Sequence, residues 1–336
     1  MAALFHDFVL FVSYGVEVAM LSAREHTGYH AGKNTVSTRK REGSGAEPSL
    51  PTWEAQPGVC PPCWERLERL EWTAGLAFVS HGARIGIRVN DASVLERIPS
   101  LLPPGWVPAT SPVVDDLYSL KVAAASSRPD VRRYHMLYQG IGRLARTHDL
   151  EEALAALQSD MHAQVAAQAR ERLFVHAGVV GWNGKAVVIP GRTFSGKSSL
   201  VAALVRAGAA YFSDEYAVFD SEGFVYPYAK PLSLRDEEGK PCGTYPVEEL
   251  GGKAATEPLP VGVIVSTRYE AGARWRPRPL TPGRAMLALL DNTVQIRKQP
   301  QMAMQTLQQA ALSAEAFQGK RGEANQVADW LRERPL

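Results

Sequence analysis

An apolar run, Lys185–Ile189, leads into the loop Gly191-Arg192-Thr193-Phe194-Ser195-Gly196-Lys197-Ser198, and an amphipathic run, Ser198–Ala207, begins where the loop stops. Few octapeptides restrict a fold more. The pattern G-x-x-x-x-G-K-[ST] is matched at every fixed position, and it requires a strand before it and a helix after it. Glycine at both ends lets the backbone curl so that successive N–H groups point inward at an anion. The helix directs its positive end to the same place. Lys197 then reaches the β and γ phosphates of ATP, and the Ser198 hydroxyl stands where magnesium is ligated. Gly191 through Ser199 is therefore the expected nucleotide-binding segment.

The flanks agree with this reading. Leu173–Val180 is an expected strand, Asn183-Gly184 the favoured two-residue hairpin turn, and Lys185–Ile189 the returning strand. Leu200, Val201, Leu204 and Val205 form the inward face of the helix, and Gly208 is its stop. Ala209–Phe212, Tyr216–Phe219 and Val261–Val265 read as further strands. Helices are expected over Pro282–Leu290, Met302–Ala310 and Asn325–Leu331. Together, residues 171–336 make an α/β domain.

Seventeen residues after Lys197 comes Asp214, followed by Glu215, at the end of a short apolar strand. A carboxylate at the C-terminal end of a strand beside such a loop is where the metal-organising acid of these sites lies. Two acids divide the work naturally, one orienting magnesium and one taking a proton from an attacking hydroxyl. Neighbours in an extended segment point opposite ways, so the two are expected to face different surroundings. His176, near the end of the strand before the hairpin, is a third candidate; a lone strand histidine is more often a hydrogen-bonded core residue. Downstream, Lys230, Arg235 and the group Arg274, Arg276 and Arg278 are candidate phosphate or substrate contacts. The alternation of that last group also fits a solvated edge.

Val175-His176-Ala177-Gly178, then Gly191–Ser198, then Ala209–Glu215 resembles the HPr serine kinase/phosphorylase family over residues 173–235. The resemblance implies a P-loop fold like that of phosphoenolpyruvate carboxykinase and transfer of the ATP γ-phosphoryl to a serine hydroxyl. It implies Lys197 on the phosphates, Ser198 on magnesium, Asp214 as general base, Glu215 supporting the metal, and His176 beside the phosphates. Glu215 stands where that family has a second Asp, and Ser199 where it often has an acid. Its later Glu-x-Arg-Gly-[Ile/Leu]-Gly segment is not found; Arg321-Gly322-Glu323 falls too far along and in a helical context. The chain thus looks like a divergent relative acting on peptides or other small substrates.

Ahead of this domain, residues 61–170 read as a smaller α+β module. Phe78–Val89 alternates as a strand, Ser93–Ile98 reads as a short helix capped by Ser93, and Leu117–Ala123 and Tyr134–Gly140 are extended. Asp149 caps a long helix, with Glu152 completing a capping box and Leu150, Leu154, Leu157, Met161 and Val165 as one apolar stripe. With no chemical residues of its own, the module is expected to supply substrate recognition or the contacts of a homo-oligomer. Residues 1–60 read as a poorly ordered leader: Phe8–Met20 is interrupted by Glu17 and short for a membrane span, and Ser22–Pro57 is polar and unpatterned.

Composition excludes several classes. The 336 residues carry 37 basic and 35 acidic side chains, a net charge of +2, which gives no footprint for nucleic acid or an anionic membrane. Three cysteines are too few for a disulfide framework, and Cys60-Pro-Pro-Cys63 lacks the second pair a zinc site needs. A cytoplasmic protein with reduced thiols is expected. The expected activity is a magnesium- and ATP-dependent kinase acting on a serine of a protein or peptide. A kinase for a free small molecule such as serine, or a regulatory module that binds ATP without transferring phosphate, are the alternatives.

Overall fold

The computed structural model describes residues 50–53, 61–124, 133–192, 195–235 and 241–334. The rest of the leader, with Cys60, and the loop residues Thr193 and Phe194 lie outside the described residues.

The N-terminal sheet is built from β1 (Ala74–Ser80), β2 (Ala83–Val89), β3 (Asp116–Lys121), β4 (His135–Gln139) and β5 (Gly142–Thr147), with Val107–Pro108 on the edge of β1. β2 and β3 run parallel, and the other pairs run antiparallel. The apolar run from Phe78 is not one strand. His81 and Gly82 both adopt positive φ, 50° and 82°, and turn it into the β1–β2 hairpin. The short helix is Ala92–Leu95 with Asp91, not Ser93, as its cap, because the Asp91 carboxylate accepts from the Ser93 N–H at 3.1 Å. Pro51–Trp53, which composition placed in the leader, pack here: Thr52–Trp53 pair with Val113–Val114, and the Trp53 indole donates to the Asp115 carbonyl at 3.0 Å.

Helix α1 (Leu150–Gln168) crosses this sheet. Asp149 caps it through the Glu151 N–H at 2.9 Å. Glu152 turns to the Thr147 hydroxyl, and the Asp149 N–H also goes to Thr147, so no reciprocal capping box forms. Leu154, Leu157, Met161 and Val165 are buried as the stripe requires, and Leu150 is half-buried.

The second sheet contains β6 (Leu173–Trp182), β7 (Lys185–Pro190), β8 (Ala210–Ser213), β9 (Tyr216–Phe219), β10 (Phe224–Tyr226), β11 (Leu259–Tyr269) and β12 (Glu315–Arg321), with Arg278–Pro279 on its edge. Asn183 and Gly184, at φ 49° and 76°, make the tight β6–β7 turn. Alternation along β7 assigns its side chains to two faces. Ala186 and Val188 pack with Ala285, Leu289 and Leu307 of helices α3 (Pro282–Leu290) and α4 (Pro300–Ser313). Val187 and Ile189 pack with Leu200, Leu204 and Leu331 of α2 (Lys197–Arg206) and α5 (Asn325–Arg332). The architecture is mixed α/β, with helices on both faces of this sheet. Its core continues into the N-terminal module, since Phe174, Tyr216, Val218 and Tyr228 pack among residues of β1, β2 and α1. Among the described residues, no helix is long and apolar enough to cross a membrane.

Strand direction positions the site. β7 and β8 are both antiparallel to β6, so the loop after Pro190 and the acids after Ser213 emerge at the same edge. β11 is parallel to β7 and β12 is parallel to β11, which delivers the ends of both to that edge as well.

Candidate nucleotide site

The loop is anchored where β7 ends: the Gly191 N–H donates to the His176 carbonyl at 3.2 Å. The Arg192 carbonyl accepts from the Ser195 N–H at 3.2 Å and from Lys197 Nζ at 2.7 Å, tying the lysine across the loop. Gly196 has φ +81°, a left-handed conformation that a side chain strains, and it opens α2. The helix sits close on the sheet because Gly178 lies beneath it; a Cβ there would come within 2.6 Å of Val201 Cγ2. Ser195 Oγ is shielded from water with no partner among the described residues, while Arg192 and Ser199 are exposed.

The acid pair lies in the bend between β8 and β9, and its two carboxylates have different partners. Asp214, only 6% exposed, accepts from Ser198 Oγ at 2.9 Å and lies 3.1 Å from the Tyr211 hydroxyl. That hydroxyl also reaches the Lys230 carbonyl at 2.8 Å. Burial raises the Asp214 pKa despite the nearby Lys230. Glu215 turns the other way and forms an ion pair with Lys230. Burial pushes its pKa up, but Lys230, His162 and His176 outweigh that and leave it lowered. Lys197 is lowered to about 8, first by burial, with Asp214 and Glu215 opposing the fall.

His176 serves mainly through its backbone. Its carbonyl holds Gly191, its N–H donates to the Asn292 carbonyl at 2.7 Å, and its ring lies 4.9 Å from that of Tyr216. Burial lowers its pKa, with Glu215 opposing, so a neutral imidazole is favoured. Lys230 joins the site through Glu215. Arg235 ends a short strand, Leu232–Arg235. Arg274, Arg276 and Arg278 are exposed, as a solvated edge would be.

The structure corrects the helical setting expected for Arg321. The residue ends a strand, not a helical segment, and its guanidinium Nη2 donates to the Gly196 carbonyl at 2.6 Å. The partners are 125 residues apart, so no local pattern announces the contact. The one available hint was the β-branched and aromatic alternation expected of a strand, and Glu315–Arg321 has little of it.

These residues suit a magnesium nucleotide. A glycine loop, a cation tied across it and a hydroxyl–carboxylate pair at its base match what phosphate and magnesium demand, and magnesium takes only one or two protein carboxylates beside phosphate oxygens. A scan against protein-family models and a search of curated proteins both found no match to this chain.

Proposed function

We propose that the chain is a P-loop phosphotransferase of the HPr kinase-like, phosphoenolpyruvate carboxykinase-like type, which moves the γ-phosphoryl of ATP to a hydroxyl, with a serine of a protein or peptide as acceptor. The observation that carries this reading is the 2.9 Å hydrogen bond from Ser198 Oγ to Asp214 Oδ2 at the foot of the glycine loop. With its O–H donating to Asp214, Ser198 keeps its oxygen lone pairs free for a cation.

The loop amides and Lys197 bind and orient the phosphates, and most of the rate comes from that positioning and charge neutralisation. Magnesium, when bound by Ser198 and Asp214, neutralises charge on the phosphate oxygens. Asp214, with its raised pKa, is suited to take the proton of the acceptor hydroxyl. Glu215, held anionic by Lys230, keeps a fixed negative charge beside the site. Thiols need no oxidising compartment here, and the reading belongs to the cytoplasm, where ATP is plentiful.

The test is transfer of γ-labelled phosphate from MgATP in an extract of the source cell, comparing the intact protein with Asp214→Asn. Label on a protein or peptide band that vanishes with the variant supports the proposal. Label only in small molecules turns the reading to a metabolite kinase. MgATP binding with no transfer turns it to a regulatory module.

A further inference from the structure

Arg321 carries its charge to a place where, among the described residues, its hydrogen-bond acceptors are carbonyls. It is 2% exposed. Its Nη2 donates to the Gly196 carbonyl at 2.6 Å and Nη1 to the Gly322 carbonyl at 3.2 Å, while Nε is shielded from water and has no partner among the described residues. The Tyr269 ring lies 5.7 Å from the guanidinium carbon, and Glu323 acts on it only as a field from the turn that follows. The contrast with Arg88 is instructive. That arginine is 4% exposed, and it has Glu68 at 2.7 Å. A buried cation without a counter-charge is strongly destabilising, and such groups concentrate where a ligand completes them.

Topology brings this charge to the loop. β12 follows β11 in parallel, β11 follows β7 in parallel, and Arg321 leaves the sheet beside the residues that open α2. Gly196 is glycine because its φ of +81° strains a side chain; a Cβ there would also press on Arg321 Nη2, the end of a side chain that can give way.

We propose that Arg321 is a positioning residue of the nucleotide site, which pins the Gly196 peptide and whose charge is answered by the phosphates of a bound nucleoside di- or triphosphate. The inference rests on the nucleotide reading above. No bond is made or broken by Arg321; its effect is on the hold of the loop on phosphate charge.

The experiment measures the affinities of ATP, ADP and adenosine for the full chain, for Arg321→Gln and for Arg321→Lys, at two salt concentrations. ATP and ADP are expected to weaken at least about tenfold in Arg321→Gln, the scale of one hydrogen-bonded charge. Adenosine is expected to be unaffected, and the salt dependence of ATP binding to become shallower. Arg321→Lys, which retains the charge, is expected to recover to within about threefold of the intact protein. Unchanged ATP affinity in a folded Arg321→Gln overturns the proposal, as does equal weakening by Gln and Lys. If the Gln variant does not fold, Lys decides: near-intact ATP binding supports the role of the charge, and its loss overturns it. An intact protein that binds neither ATP nor ADP removes the nucleotide reading itself, a result distinct from an intact protein that binds and a Gln variant that binds equally well.

Discussion

On the proposed function, Lys197 should make nucleotide affinity a titration curve. Burial holds the free lysine at about 8, against 10.5 for an exposed one. Phosphate favours the cation, so a bound nucleotide raises that value again, and binding at alkaline pH must carry a proton with it. At pH 7 about nine in ten molecules of the free protein hold the charge, and at pH 9 about one in eleven, from a pKa of about 8. ATP affinity is therefore flat to about pH 7.5, then weakens toward a tenfold loss per pH unit, reaching about tenfold by pH 9. The window lies above the second ionisation of a phosphate ester, about 6, so ATP itself does not titrate in it. Equilibrium dialysis with labelled ATP from pH 7 to 9.5 at constant ionic strength measures the curve. Lys197→Arg provides the control, because guanidinium keeps its charge throughout and its profile should be level. Stability carries the opposite sign. The unfolded chain holds more protons between pH 8 and 10.5, so the contribution of Lys197, read against Lys197→Met, rises with pH while ATP affinity falls. An affinity that is constant from pH 7.5 to 9.5 would refute the combination of a depressed lysine and its contact with phosphate.

Three further outcomes follow from the packing. Removing residues 1–170 uncovers Phe174, Tyr216, Val218 and Tyr228, all buried in the shared core, so the remaining fragment should bind hydrophobic dyes and aggregate; a monomeric, nucleotide-binding fragment of unaltered Tm would contradict the shared core. Gly178→Val places a side chain where even a Cβ comes within 2.6 Å of Val201, and should lower stability by about 1–3 kcal/mol in urea unfolding while weakening ATP through the displaced α2; an unchanged midpoint and affinity would mean the helix has room to move. Burial holds His162 and His81 at about 4 instead of 6.5. Unfolded histidine binds more protons between those values, so stability falls as pH drops through that window. His162→Gln should shrink that loss, and a Tm difference between variant and intact protein that does not vary with pH would argue against it.

Where a feature lies in one stretch of chain, the residues announce it. Asn183-Gly184 demands the turn it makes, Gly191–Ser198 demands a strand and helix around it, and Pro282 starts a helix whose limits follow from the apolar period alone. The different partners of Asp214 and Glu215 do not come from the alternation of an extended segment, since both lie in the bend between β8 and β9. Competing local chemistry defeats the reading at other points. His81 accepts a left-handed turn that is usually left to Asn or Gly, Asp91 outcompetes Ser93 for the free amide, and Glu152 prefers Thr147 to the box its spacing suggests. Arg321 fails for a deeper reason. Its relevance is created by two successive parallel pairings, β7 with β11 and β11 with β12, each joined by a long connection that no spacing rule can measure. A search confined to the interval between loop and acids stops far short of it. Sheet edges collect residues by strand direction and not by distance along the chain, so the basic groups of this site are better sought at the C-terminal ends of strands parallel to β7 than in any fixed number of residues after Lys197. By that criterion Arg321 joins the candidates, and the exposed Arg274 and Arg276, which precede a strand antiparallel to β12, lie at the same edge, with the Gly322 N–H donating to the Ala273 carbonyl at 3.0 Å.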